Sequence, residues 1–259
     1  MVDIYLFTGP LKNVCIDSIM RWNKRFNYPA SQRSLIQGSR HYDIGHEMLP
    51  SVTTILSATQ SEEKRQSLEA WRKRIGAQGA DRIRDMSAMR GSSMHKYLEA
   101  YIQGSGHMDL TAVGMEAHPM AQQIINHGLG PLEEVWGTEV TVHYPMLYAG
   151  ATDLVGIYNS RESIIDFKQT NKPKKREWIE DYFIQLGAYA MAHNYVYGTK
   201  IQQGIILMCS KDKLFQRFEV SDKEFVHCQH SFLKKVDQYY RDKKDHPNGK
   251  DTKNEQKTH

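Results

Sequence analysis

Cysteine is scarce, long apolar runs are missing and neither sign of charge dominates. Each lack excludes something. Cys15, Cys209 and Cys228 are odd in number and scattered over 259 residues, so neither a disulfide framework nor a cysteine-based metal cluster is indicated. The longest apolar run, Ile205 to Cys209, is too short to span a bilayer. Asp3 stands where a signal or transit peptide would carry basic residues. The expectation is a soluble protein of a reducing, cytosolic compartment. With 34 Lys and Arg against 30 Asp and Glu, a formal net charge of +4, the chain is mildly basic. That suits a polyanionic partner without demonstrating one. What is present suffices for one substantial core, 40% of residues being apolar and 25% charged. One large domain is expected over residues 39–241, with an extension of unclear role over 1–38 and a charged, disordered tail over 242–259.

The most informative stretch runs from Tyr148 to Lys168 and reads as two strands joined by a tight turn around Asn159 and Ser160. A two-residue turn at Ser160 and Arg161, or a four-residue turn over 159–162, sets Asp153 opposite Lys168 and Val155 opposite Asp166. One face then carries Asp153, Asp166 and Lys168 among Ala149, Ala151, Val155, Ile157 and Ile164. Diagonal neighbours lie roughly 7 Å apart. Two carboxylates leaning to within about 4 Å repel by about 4 kcal/mol at an effective dielectric near 20. One ammonium cannot offset both, whereas a divalent cation with oxygen ligands at about 2 Å could. A satisfied buried Asp-Lys pair with the second Asp solvated explains the same pattern, and the ribbon alone does not choose.

Around this ribbon, Ile4, Leu6 and Phe7 suggest a short strand, and Ile16, Ile19, Met20 and Trp22 have helical spacing. A strand is expected from Arg40, and a helix start at Pro50 and Ser51. A long helical region spans 62–89, with Leu68, Trp71, Ile75, Ile83 and Met86 at near-helical spacing and an interruption at Gly76 and Gly79. Its Lys64, Arg65, Arg72, Lys73, Arg74, Arg82 and Arg84 fit either a solvated face or phosphate contacts. Ser92 or Ser93 is a natural cap for a new helix to about Gln103, on which His95, Leu98 and Ile102 share a stripe. His95 should point inward, as a hydrogen-bonded core residue or as a ligand. A short helix is read at Met120 to Asn126 and a strand from Val135 to Tyr144. If Tyr144 lies opposite Tyr148, Glu139 falls opposite Asp153 on the same face. Lys172, Lys174, Lys175 and Arg176 form a basic loop after Lys168. A helix over 177–197 follows, with Trp178, Tyr182, Gln185, Leu186, Tyr189 and His193 on one stripe. Strands at Gly204 to Met208 and Leu214 to Val220 and a helix from Phe225 to Tyr240 complete the reading.

Gly91 with His95, Asp153 in Gly-Ala-Thr-Asp-Leu-Val, Asp166-Phe167-Lys168, and Gln185-Leu-Gly-Ala-Tyr189 follow one another in an order that resembles the RecB-like exonucleases of the PD-(D/E)XK nuclease superfamily. Pro50 to Leu56, Trp71 and the Arg90-Gly91 approach to His95 look like the mitochondrial genome maintenance exonucleases and related phage exonucleases. The resemblance covers about Tyr42 to His193 and implies an α/β fold, a central mixed sheet flanked by helices, with a helical region arching over the site. It implies that Asp153, Asp166 and the carbonyl of Phe167 bind Mg²⁺ or Mn²⁺, with His95 a further ligand and Glu139 holding a water or a second ion. Lys168 would orient the attacking water or stabilise the transition state, and Gln185 would position Lys168 or the adjacent backbone. Tyr182 and Tyr189 would pack, position or touch DNA. Lys64, Arg72, Arg74, Arg90, Lys172, Lys174, Lys175 and Arg176 would contact DNA phosphates. Some relatives hold a four-cysteine iron-sulfur cluster, which three scattered cysteines cannot reproduce. No mitochondrial targeting composition is visible, so a bacterial or phage-infected host is expected. The implied function is a metal-dependent exonuclease of DNA repair or recombination that works from ends and prefers single strands. The alternatives are a flap or branch endonuclease, or a DNA-end-binding recombination protein with a vestigial site.

Overall fold

The computed structural model describes residues 20–245. In chain order the elements are β1 (Arg21–Trp22), β2 (Gln32–Ile36), β3 (Ser39–Asp43), β4 (Met48–Pro50), α1 (Val52–Ala58), α2 (Glu62–Ile75), α3 (Ala77–Ile102) and α4 (Ala112–Gly128). Then come β5 (Leu132–Tyr144), β6 (Tyr148–Tyr158), β7 (Arg161–Thr170), α5 (Glu180–Tyr197), β8 (Gln203–Ser210), β9 (Phe215–Ser221) and α6 (Asp222–Asp245). The expected strand around Ile4 and the helical positions Ile16 and Ile19 lie outside the described residues. Trp22, the last position of that spacing, is in a strand, because Arg21 and Trp22 pair in parallel with Glu134 and Val135. Of the expected tail, 242–245 are helical as the end of α6, and 246–259 lie outside the described residues.

The six-stranded sheet has the order β1-β5-β6-β7-β8-β9 and is mixed, β7 and β8 being parallel and the pairs β5-β6, β6-β7 and β8-β9 antiparallel. Strand alternation sends Val155, Ile164, Ile206, Met208 and Phe218 to one face, where they pack with α1, α5 and α6. Leu154, Ile165, Phe167, Ile205 and Leu207 go to the other, against α3 and α4. Helices on both faces bury β8 throughout, which accounts for its unbroken apolar run in a strand joined to β7 by a helical crossover. A separate sheet, β2-β3-β4, packs Tyr42, Ile44 and Leu49 on Ala149 of β6. Among the described residues no helix is long and apolar enough to cross a membrane.

Two local readings are corrected. The first is the turn. Asn159 and Ser160 themselves form it, both with positive φ (50° and 59°), as a type I′ hairpin turn requires. Tyr158 therefore pairs with Arg161 and Leu154 with Ile165, a register two residues away from the expected one, which brings Asp153 opposite Asp166. A shift of two preserves the face.

The second is the helix of His95. No helix starts at Ser92 or Ser93; α3 is continuous from Ala77, and Ser93 donates its hydroxyl proton to Asp109. Buried Arg90 explains why the chain does not break beside Gly91: its guanidinium donates to Glu116, Gln169 and Asn171 and ties this turn to α4 and the end of β7. The break comes earlier, at Gly76, whose φ of 82° and ψ of 150° suit only glycine. The apolar stripe of α2 is not buried: the helix has no buried residue, and Leu68 and Ile75 are exposed.

Candidate active site

The site lies where β6 and β7 part. Their pairing ends at Leu154 and Ile165, and beyond it the carboxylate of Asp153 replaces the lost ladder, accepting a hydrogen bond from the backbone N–H of Phe167 at 2.7 Å. The carbonyl of Phe167, on the other side of the same residue, meets His95 Nε2 at 2.9 Å. His95 thus reaches through the fork from α3. Its other nitrogen, Nδ1, faces Asp153 Oδ1 at 3.4 Å and Glu139 Oε1 at 3.6 Å. Glu139 arrives because Tyr144 does pair with Tyr148 and Thr138 with Leu154, the register expected for that hairpin. Asp166 and Lys168 form a close ion pair beside this group, the lysine ammonium 5.1 Å over the ring of Tyr182.

The charges are strongly interdependent. Burial disfavours the imidazolium of His95, but the carboxylates of Asp153 and Glu139 outweigh it and push its pKa up to about 10. Burial likewise opposes ionisation of Asp153, yet His95 and Lys168 hold it below the usual carboxylate range. Asp166 goes the other way, raised to about 6 by burial and the charge of Asp153 despite Lys168. Burial disfavours the ammonium of Lys168, and the carboxylates of Asp166 and Asp153 more than restore it. Apart from that ammonium, Asp166 Oδ2 has no hydrogen-bond partner among the described residues. One ligand atom each of His95, Glu139 and Asp153 lie within 4.8 Å of one another. Two carboxylates and an imidazole suit a divalent cation. With Nε2–H given to the Phe167 carbonyl, Nδ1, which holds the second proton against the carboxylates, is the nitrogen that would face a cation once that proton is lost.

Gln185 is placed differently from the sequence expectation. It donates to the hydroxyl of Tyr189 at 2.9 Å and approaches Asp166 at 3.5 Å, so it steadies the carboxylate rather than Lys168. Tyr189 is buried, and its ring fits only because residue 150 is glycine: a Cβ there would lie 2.6 Å from it. Neither Tyr189 nor Arg90 is open to DNA, being 3% and 4% exposed. Arg176 is also occupied, donating to the carbonyl of Glu219 and to Glu224. Lys172 and Lys175 remain exposed, Lys174 half-buried. On the helical limb Arg72 pairs with Asp81 across the Gly76 corner and Lys64 with Asp181 at 2.5 Å, while Arg74 is exposed. Arg33 was missed altogether. It lies 3.8 Å from Glu139 on the local β2-β3 hairpin, which is seated against the site by contacts of Tyr28 and Ser31 with residues more than a hundred positions away.

No family model matches the chain. It is similar to mitochondrial genome maintenance exonuclease 1 of Mus musculus, 33% identical over 174 residues that make up 63% of this chain and 50% of that protein. The Xenopus tropicalis protein of that name is 27% identical over 212 residues, 76% of this chain and 59% of the relative. The human one is 27% identical over 175 residues, 64% and 50% of the two chains. Over the shared stretch the similarity supports an exonuclease of the PD-(D/E)XK type. The chain spans about half the length of the relatives it matches. Among solved structures, a Eubacterium rectale protein overlays loosely, with a TM-score of 0.45 and 15% identity over 60% of this chain and 68% of its own.

Proposed function

We propose that this chain is a divalent-metal-dependent deoxyribonuclease that hydrolyses phosphodiester bonds from DNA ends and prefers single strands. The observation that carries the proposal is the convergence of Asp153, Glu139 and His95 on one point beside the Asp166-Lys168 pair. The exonuclease names of the relatives support the same reading. Mg²⁺ or Mn²⁺ held by Asp153, Glu139 and His95, with Asp166 and the Phe167 carbonyl adjacent, would acidify the attacking water and offset charge on the phosphate.

The chain's own groups do the rest. Lys168 points its ammonium at the same space and holds a water in line with phosphorus or a nonbridging oxygen as its charge grows. Asp166 fixes that ammonium and Gln185 steadies Asp166. Asp153, by gripping the Phe167 N–H, sets the direction of the carbonyl that His95 reads from the other side. One water adds to phosphorus, the ester P–O bond breaks, and the proton leaves with the departing sugar oxygen.

The preference for single strands rests on the limbs of the helical hairpin. Lys64 ties the start of α2 to Asp181, next to Tyr182, while α3 carries His95 on the other side. One face of α2 carries Leu68, Trp71 and Arg74 beside the Lys64-Asp181 pair. A cation and an aromatic ring on one face suit an unpaired strand. A time course on end-labelled linear single-stranded, linear duplex and circular single-stranded DNA, with chelator and then with restored Mg²⁺ or Mn²⁺, tests the proposal. Cleavage should begin at ends, favour the linear single strand and stop in chelator. Chelator-resistant digestion refutes the metal, and equal attack on circles refutes the end requirement.

A further inference from the structure

The segment from Asn23 to Asp43, to which the sequence alone assigns no chemistry, ends at the mouth of the site. It is fastened at two points. The hydroxyl of Tyr28 bonds His193 on α5 at 3.0 Å, and Ser31 bonds Thr141 on β5 at 2.6 Å. From there the β2-β3 hairpin rises with Arg33 paired opposite Tyr42, whose ring lies 5.7 Å beneath the guanidinium. Arg33 extends toward Glu139 Oε2 at 3.8 Å, while the other oxygen of that carboxylate faces His95. Glu139 has a positive φ of 51° in the middle of β5, a backbone conformation regular strands do not use, at the point where its carboxylate faces His95 and Arg33.

This contact is loose. At 3.8 Å it is an ion pair without a hydrogen bond, and the Arg33 side chain is 53% exposed, so solvent screens it and little holds it. A guanidinium has five N–H donors in a planar fork that matches phosphate oxygens two at a time. Here one edge leans on Glu139 and the remaining donors face the solvent through which a substrate must come. Arg33 is therefore a fork aimed at the mouth of the site, weakly parked on one of its carboxylates.

We propose that Arg33 binds a phosphate of the nucleic-acid strand beside the scissile bond, and that Glu139 is its resting counter-ion when no strand is bound. The proposal rests on the nuclease reading above and adds a wall to the site opposite the helical hairpin. Where Glu139 is engaged by a cation, the guanidinium is released from it and free to turn to the phosphate. A lysine could supply the charge but not the two parallel hydrogen bonds.

The test is binding of a fluorescent oligothymidylate, followed by anisotropy over a series of KCl concentrations in chelator, where no cleavage intervenes. Four chains are compared: wild type, Arg33→Gln, Arg33→Lys, and Arg241→Gln as an exposed arginine on α6 that pairs with Asp237. Arg33→Gln should flatten the slope of log affinity against log salt by about 0.7, the value of one phosphate contact on single strands. Arg33→Lys should keep the slope and bind several-fold more weakly, and Arg241→Gln should match wild type. In cleavage assays Arg33→Gln should raise KM several-fold with kcat nearly unchanged. Wild-type slope and affinity in Arg33→Gln overturn the proposal. If that variant does not unfold cooperatively on heating, Arg33→Lys decides alone: weaker binding at an unchanged slope supports the fork, and wild-type affinity refutes it. A Lys168→Ala arm separates the two readings. If it cleaves normally the nuclease site is misplaced, whereas the anisotropy series still reports on Arg33.

Discussion

Lys168 is the residue on which the charge balance of the site turns. Its ammonium faces buried Asp166, whose own pKa is already raised by burial and by Asp153. Removing one member of a buried pair leaves the other stranded, at about 3–5 kcal/mol, unless it takes up a proton. Lys168→Ala should therefore neutralise two groups at once and lower cleavage by about 10²–10³-fold or more while leaving the circular dichroism spectrum unchanged. Turnover near wild type in that variant would take Lys168 out of the chemistry. His193 shows the opposite strategy, a buried group kept neutral. Thr199 gives its hydroxyl proton to Asn194, so it accepts from His193 Nδ1–H, and Nε2 is left to accept from Tyr28. Burial first, and Arg25 second, lower the His193 pKa from 6.5 to about 4. Between those values the unfolded chain binds the proton and the folded chain does not. Stability is thus complete above pH 6.5 and falls as the pH drops toward 4, by up to about 3 kcal/mol. Urea unfolding of wild type and His193→Asn across that window measures it; equal slopes against pH in both would assign the acid sensitivity elsewhere.

At the scale of elements, the contrast lies between α2, which has no buried residue, and α3, whose Met94, Leu98 and Ile102 are in the core. A helix without burial has little beyond its Ser61 cap and a few ion pairs to hold it. Its amides should exchange with solvent through local opening while those of β7 and β8 require global unfolding. Single-stranded DNA should slow exchange in α2 selectively, as hydrogen-exchange mass spectrometry in chelator would show; uniform protection would mean the strand does not touch it. The same contrast explains what was legible in the sequence. Strand alternation exposed Asp153, Asp166 and Lys168 on an apolar face. The two-residue register difference left that reading unharmed because faces repeat every second residue. The start of the His95 helix was not legible, since Ser92 and Ser93 look like caps until Asp109 and Glu116, folded back from α4 and the loop before it, claim Ser93 and Arg90. Arg33 was invisible for a similar reason: its position depends on Thr141 and His193, more than a hundred residues away.

Over the whole molecule, the fold decides which of the basic residues are available to a polyanion. Arg72 meets Asp81 across the helical corner and Arg84 meets it within α3, Lys64 meets Asp181, Arg176 meets Glu224, and Arg90 is buried. Arg74, Arg82 and Lys172 have no ion-pair partner among the described residues, and Lys175 has only a distant one at 3.9 Å. Arg74→Ala with Arg82→Ala, or Lys172→Ala with Lys175→Ala, should therefore flatten the salt dependence of binding by about 0.7 for each phosphate-binding cation removed, equally for all sequences. Arg176→Ala should lower stability instead, with the slope unchanged. These free cations sit on the helical limb before His95 and on the loop after Lys168, so a strand that satisfies both must pass between α2 and the β7-α5 connection. The Lys64-Asp181 bridge closes that passage on one side. A strand with a free end can enter it, and a closed circle can do so only if the bridge opens. Circular single-stranded DNA should accordingly be cut slowly, and Lys64→Ala should speed its cleavage more than that of the linear strand. Should circles be cut as fast as linear DNA by the unmodified protein, the strand does not thread, and the flap or branch endonuclease becomes the better reading of the same site.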